Sequence, residues 1–171
     1  DRILQLDPIQ VRQAIILLVI LCICALWTIP LVWVLKSPNN PYATALLITT
    51  CILEAPIIFV LVFKGMWTPI ARQHPVQPLS DDAITRRFQS FSLGMINMGW
   101  SVHASVDDQH LHLKPVAFLR WFGAIPMSIR WEHLSKLNRS GKSAYITGGH
   151  RLVGPAWCFE MLKARKVEEQ G

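Results

Sequence analysis

The sequence predicts an α+β membrane protein: a two-helix transmembrane hairpin followed by a small β-barrel or sheet domain that a C-terminal helix closes. Three observations carry that prediction. Two apolar runs lie almost back to back, residues 14–35 without a charge and residues 43–63 with Glu54 alone. From Gly99 the chain breaks into short alternating segments separated by turn residues. Beyond Pro155 the apolar residues return to helical spacing.

At about 1.5 Å per residue, each apolar run covers the roughly 30 Å of a bilayer's hydrocarbon core. The spans are placed at about 14–35 and 43–63, within an N-terminal unit of residues 1–64, and residues 36–42 close the hairpin. The first run is longer than the apolar region of a cleaved signal peptide, and no small-residue cleavage site follows its end. Arg2 and Arg12 precede the first span, Lys64, Arg72, Arg86 and Arg87 follow the second, and the turn carries only Lys36. That bias predicts a multi-pass protein with both termini and the C-terminal domain in the cytoplasm. Trp33 and Tyr42 then mark one membrane interface and Trp67 the other.

The formal charge is +6, and from Lys64 onward there are 14 Lys or Arg against 8 Asp or Glu. A tethered basic domain suits an anionic membrane surface, although the same residues also serve to retain the domain inside. No nucleic-acid recognition motif accompanies the charge. Cys22, Cys24, Cys51 and Cys158 lack CxxC spacing, and in a reducing compartment they read as small apolar packing residues.

Residues 65–79 contain Pro69, Pro75 and Pro78, which predict a helix-breaking, stiff connector to a domain over 80–171. Two periodicities compete just beyond it. A helix capped by Ser80 places Ile84, Phe88 and Phe91 on one face and stops at Gly94. A strand over residues 88–98 instead sets Phe91, Leu93, Met95 and Asn97 in alternation. Three hairpins are then expected: 100–105 with 109–114 about Val106-Asp107-Asp108, 116–122 with 126–131 about Gly123, and 134–138 with 144–147 about residues 139–142. Pro155 opens the closing helix, with Trp157, Cys158, Met161, Leu162 and Ala164 on one side. Lys163, Arg165 and Lys166 favour its C-terminus.

Six or seven short strands closed by one helix is the plan of a pleckstrin-homology-like (PH-like) barrel. The segments Ser92-Leu93-Gly94-Met95-Ile96-Asn97-Met98-Gly99 and Val106-Asp107-Asp108-Gln109-His110-Leu111-His112-Leu113 resemble a pattern in small uncharacterised bacterial membrane proteins. Those proteins pair a hydrophobic hairpin with a PH-like domain. Where they carry an Ile-Pro-Trp signature, this chain has Ile125-Pro126-Met127, with a Trp only at Trp131. The resemblance spans residues 92–164. It implies a bacterial inner-membrane protein with a PH-like fold and a binding role, and it transfers no catalytic residue.

Glu54 lies near the middle of the second span, where an ionised carboxylate is costly and normally faces a partner or water. Pro56 and Pro30 each free a backbone carbonyl one turn earlier. Thr28, Thr49 and Thr50 are the nearby polar residues, and neither span contains a base. Glu54 therefore reads as a protonated group bonded within the hairpin, a contact to another membrane subunit, or part of an ion pathway. The last needs further copies of the chain, since two helices cannot surround a conduit.

In the domain, His110 and His112 stand at period two with His103 on the facing strand, a weak pattern for a metal. Alternation with Leu111 and Leu113 equally describes a half-buried strand with its histidines on the wet side, so no metal or other cofactor is expected. Asp107 and Asp108 read as turn residues. Ser, His and Asp occur without a nucleophile motif, and residues 138–142 do not form a P-loop. Arg86, Arg87, Arg120 and Arg130 with Trp121 and Trp131 are the candidate lipid- or partner-contacting face, set against the simpler reading in which Trp fills the barrel. Together these features predict a non-enzymatic accessory or assembly subunit that docks to a larger membrane protein through Glu54 with Thr28, Thr49 and Thr50 as polar partners. An immunity-type protein against a membrane-acting toxin and an anionic-lipid-binding module are the alternatives, and an enzyme is the weakest reading.

Overall fold

The computed structural model describes residues 8–168, which fall into two compact units divided between Met66 and Trp67. The first contains α1 (Pro8–Leu26), α2 (Thr28–Lys36) and α3 (Pro41–Val62). The stretches Ala14–Lys36 and Pro41–Gln73 are long and apolar enough to cross a membrane, and few residues are buried in the 18-residue apolar window of each. Pro30 has no N–H to offer the Leu26 carbonyl, and the first helix is interrupted one turn earlier, at Trp27. Asn40 caps α3 by accepting the Tyr42 N–H at 3.0 Å, with Pro41 in the first turn.

A π-type turn, Phe63–Trp67, leads into α4 (Thr68–Gln73). The expected helix break is therefore displaced. Pro69 occupies the first turn of α4, where a missing N–H costs nothing, and the extended chain begins only at His74. Trp67 is not an interface residue. It is fully buried in the domain and donates its indole N–H to the Ile125 carbonyl at 2.7 Å.

The second unit continues with β1 (Ile84–Leu93), β2 (Ile96–Val106), β3 (His110–Pro115), α5 (Ala117–Trp121) and β4 (Met127–Arg130). Then come β5 (Leu134–Ser135), β6 (Ser143–Ile146), β7 (His150–Val153) and α6 (Glu160–Glu168). The strands make one seven-stranded antiparallel sheet in the order β4-β3-β2-β1-β7-β6-β5. Its two edges, β4 and β5, are joined by a single 3₁₀ turn, Trp131–His133, so the sheet curls until it is nearly closed.

Of the two periodicities after Ser80, the strand prevails. Phe91 and Leu93 point into the core on either side of Ser92, and Gly94 at φ 59° makes the turn into β2. The expected strand over 116–122 is instead helical. Ala117, Leu119 and Arg120 are good helix formers, only Leu119 is buried, and Gly123 at φ 97° ends the turn. β7 was absent from the sequence expectation; it is four residues long and pairs with both β1 and β6. Cys158, Phe159 and Leu162, in the C-terminal helical segment, are buried with the inward faces of the strands. Burial pushes the Cys158 thiol up to about 12, consistent with a packing role.

Gly154 follows β7 directly, and a Cβ there would overlap the ring of Phe91, which is itself fully buried. Gly154→Ala should destabilise the domain by about 1–3 kcal/mol, read by near-UV circular dichroism of the full-length chain during thermal unfolding. A loss below about 0.5 kcal/mol, the scatter of ordinary surface changes, would mean that Phe91 is free to move.

Candidate functional site

The pairing of β1 with β2 is irregular where it matters most. Arg86 lies opposite Ala104 and Gln89 opposite Val102, so Arg87 and Phe88 together face His103. Phe88 adopts φ 54°, a strained conformation for an aromatic residue. Its N–H donates to His103 Nδ1 at 3.3 Å, and its ring meets the imidazole edge-on at 5.0 Å. On its other side β2 pairs with β3, which brings Lys114 opposite His103. The short helix α5 then supplies Arg120.

These side chains line an open cavity of about 480 Å³. Thr85 and Ser105 add two hydroxyls 2.8 Å apart, and Leu79 and Pro115 add apolar wall. Burial lowers the His103 pKa, and Arg87, Lys114 and Arg120 lower it further, so the imidazole is neutral at pH 7 beside three fixed cations. The ion pairs of Asp107 with His110 and His112 do not involve those cations. Such a cavity focuses a positive field and offers both charged and neutral donors to an anion. Trp121, 81 % exposed, and the exposed Phe118 lie on the same helix as Arg120.

The other expected contact residues are placed elsewhere. Arg86 lies over the Trp157 ring, 4.7 Å from its centroid. Arg130 is exposed on β4 opposite His110. Trp131 cannot contact a ligand: it is 2 % exposed, and its indole N–H donates to the Asp107 carbonyl at 2.9 Å. Lys114, which sequence reasoning missed, was recoverable from the register of the hairpin about Asp107 and Asp108.

His110 and His112 are not on a wet face either. The chain after α4 lies over that side of β3 and β4, with the Ser128 N–H donating to the His74 carbonyl and the Gln77 N–H to Ser128 Oγ, at 3.1 and 2.9 Å. His112 Nδ1 lies 2.8 Å from Ser128 Oγ, and its Nε2 lies 2.8 Å from Asp107 Oδ2. Burial opposes the Asp107 carboxylate, but the His112 bond and the N–H groups of Gln109 and His110 outweigh it and lower its pKa. An ionised carboxylate only accepts, so His112 carries its proton on Nε2, and Ser128 donates to Nδ1. This Ser–His–Asp chain is closed to a substrate, because the Ser128 hydroxyl is buried and already takes the Gln77 N–H. His103, directed to Phe88 and Lys114, is not part of it.

In the hairpin, Glu54 is 9 % exposed and accepts a hydrogen bond from the indole N–H of Trp27, the residue at the helix interruption. The expected threonine partners do not serve it. Thr28 and Thr50 donate to the carbonyls of Ala25 and Leu46 in their own helical segments, at 2.7 and 2.9 Å, and Thr49 is exposed.

No protein family, curated protein or solved structure matches this chain.

His74 ends α4. It is buried, its Nε2 has no partner among the described residues, and its ring lies 5.4 Å from that of His133. Burial, then His133, lowers its pKa below 6.5, so the fold holds it neutral. Well above pH 6.5 neither state holds the proton. Below it the unfolded chain binds the proton first, and stability falls until the folded pKa is passed. The melting temperature of the full-length chain should therefore be level from about pH 8 to 7 and decline towards about pH 5, less steeply in His74→Gln. The Asp107 shift acts only below 3.8 and leaves this window untouched. An identical slope in the variant would exclude His74 as a source.

Proposed function

We propose that this chain is a non-enzymatic, membrane-anchored binding protein whose domain receives a phosphate-bearing anionic lipid headgroup. In this reading the hairpin spans the bacterial inner membrane, and the PH-like domain lies in the cytoplasm. The convergence of Arg87, Lys114 and Arg120 on one cavity is the observation that carries it. The strand order and the C-terminal helix support the PH-like assignment, and the basic residues flanking the spans support the orientation.

A lipid is favoured over a soluble anion for two reasons. A membrane anchor keeps the domain at high effective concentration relative to headgroups. The exposed aromatic rings of Trp121 and Phe118 beside Arg120 also suit the membrane interface. Each basic residue near an anionic surface contributes about 1 kcal/mol, so three supply roughly a hundredfold preference over a neutral lipid.

The second reading, an accessory or immunity-type subunit that grips a membrane partner through Glu54, is weakened by Trp27. That indole already supplies the carboxylate with a donor inside the hairpin.

The test titrates the full-length chain in detergent with short-chain phosphatidylglycerol, phosphatidylcholine and inorganic phosphate, followed by tryptophan fluorescence. Phosphatidylglycerol should bind most tightly, and Arg87→Gln with Arg120→Gln should weaken it about thirtyfold, with a larger effect at low salt. Tighter binding of inorganic phosphate would assign the cavity to a soluble anion. Equal binding of phosphatidylcholine, or no effect of the substitutions, would contradict headgroup capture. A stoichiometric membrane partner lost on Glu54→Gln would then favour the second reading.

A further inference from the structure

We propose that Asp107, His110 and His112 bind a divalent transition-metal ion of the zinc class, at a site separate from the cationic cavity. One donor atom from each residue lies within 4.8 Å of the others. Bonds of about 2.1 Å put the donors of a four-coordinate zinc about 3.4 Å apart, so the set closes on an ion by small rotamer changes. Two imidazoles and a carboxylate suit zinc and its neighbours better than magnesium or calcium, which prefer oxygen throughout.

Three features distinguish this group from an ordinary buried histidine pair. First, His110 is 7 % exposed, and its Nε2 has no hydrogen-bond partner among the described residues. Native interiors rarely leave such a nitrogen unsatisfied, and no hydrogen bond at Nε2 holds the ring against turning either nitrogen towards an ion. Second, the Asp107 carboxylate is already oriented. Its Oδ1 accepts the N–H groups of Gln109 and His110 at 2.9 and 2.6 Å and lies 3.7 Å from His110 Nδ1, while Oδ2 faces His112. Third, an outer partner is in place. Coordination through His112 Nε2 moves its proton to Nδ1, which then donates to Ser128 Oγ. That oxygen has two acceptor positions, one for this N–H and one for the Gln77 N–H it already receives. His112 thus exchanges tautomers with no net loss of a proton.

Access is provided as well. A cavity of about 350 Å³ between residues 77–80 and the β2–β3 turn opens onto Asp107 and His110, with space for an entering ion and its water ligands.

The test uses the untagged full-length chain in detergent, stripped with chelator and titrated with zinc chloride by calorimetry, followed by elemental analysis after desalting. One zinc per chain is expected, with affinity at least about 100-fold lower in His110→Ala and unchanged in His103→Ala. No stoichiometric zinc in the wild type, or full affinity in a folded His110→Ala, would overturn the proposal. Should His110→Ala fail to fold, the cobalt-substituted wild type decides. Intense visible bands of a four- or five-coordinate imidazole site support it, and the weak spectrum of the hexaaqua ion overturns it.

Discussion

The cationic cavity of the domain depends on one irregularity, the place where two residues of β1 face one residue of β2. β1 is the central strand, with β2, β3 and β4 on one side and β7, β6 and β5 on the other. Regular pairing through Arg87 and Phe88 would alternate them across the sheet. The bulge instead turns both towards His103, at the cost of a positive φ at Phe88. Lys114 arrives by register from β3, and Arg120 from the helix that follows it. Three cations brought to one cavity repel one another, and an anion held among them would relieve that repulsion.

A second polar node lies further along β3. The connector, β4 and the β2–β3 turn meet at Ser128, His112 and Asp107, and each hydrogen bond there fixes the role of the next group. The ionised carboxylate sets the imidazole tautomer, the tautomer makes Ser128 a donor, and the Ser128 oxygen holds the Gln77 N–H. The extended chain after α4 is therefore fastened to the sheet by side-chain chemistry as well as by the Ser128 N–H to the His74 carbonyl. Buried polar chains of this kind specify one arrangement because a partly satisfied alternative is costly.

What was legible in the sequence is what local pattern determines. Hydropathy alone locates both long apolar helices, and the alternation about Asp107 and Asp108 locates β2 and β3. Residues 116–122 were misread because Val116, Phe118, Leu119, Trp121 and Phe122 satisfy either period, and only the buried Leu119 with the Gly123 turn decides for helix. Trp67 was misplaced because its partner, the Ile125 carbonyl, lies 58 residues away. The Glu54 donor was missed for a related reason, since the interruption caused by Pro30 is visible but the direction of the Trp27 indole is not. Arg87 and Arg120 were named from charge and aromatic neighbours. Their convergence with Lys114 and His103 needed the register and the bulge, neither of which a linear pattern contains. Trp131 illustrates the converse error, an aromatic assigned to a binding face that the fold buries behind the Asp107 carbonyl.

Native mass spectrometry of the full-length chain, released from nanodiscs of mixed zwitterionic and anionic lipid, addresses headgroup capture most directly. A cavity built from Arg87, Lys114 and Arg120 predicts one retained anionic lipid per chain, and its loss when Arg87 and Arg120 are both changed to Gln. Lipid adducts that simply follow the composition of the membrane, in the wild type and the variant alike, would contradict it.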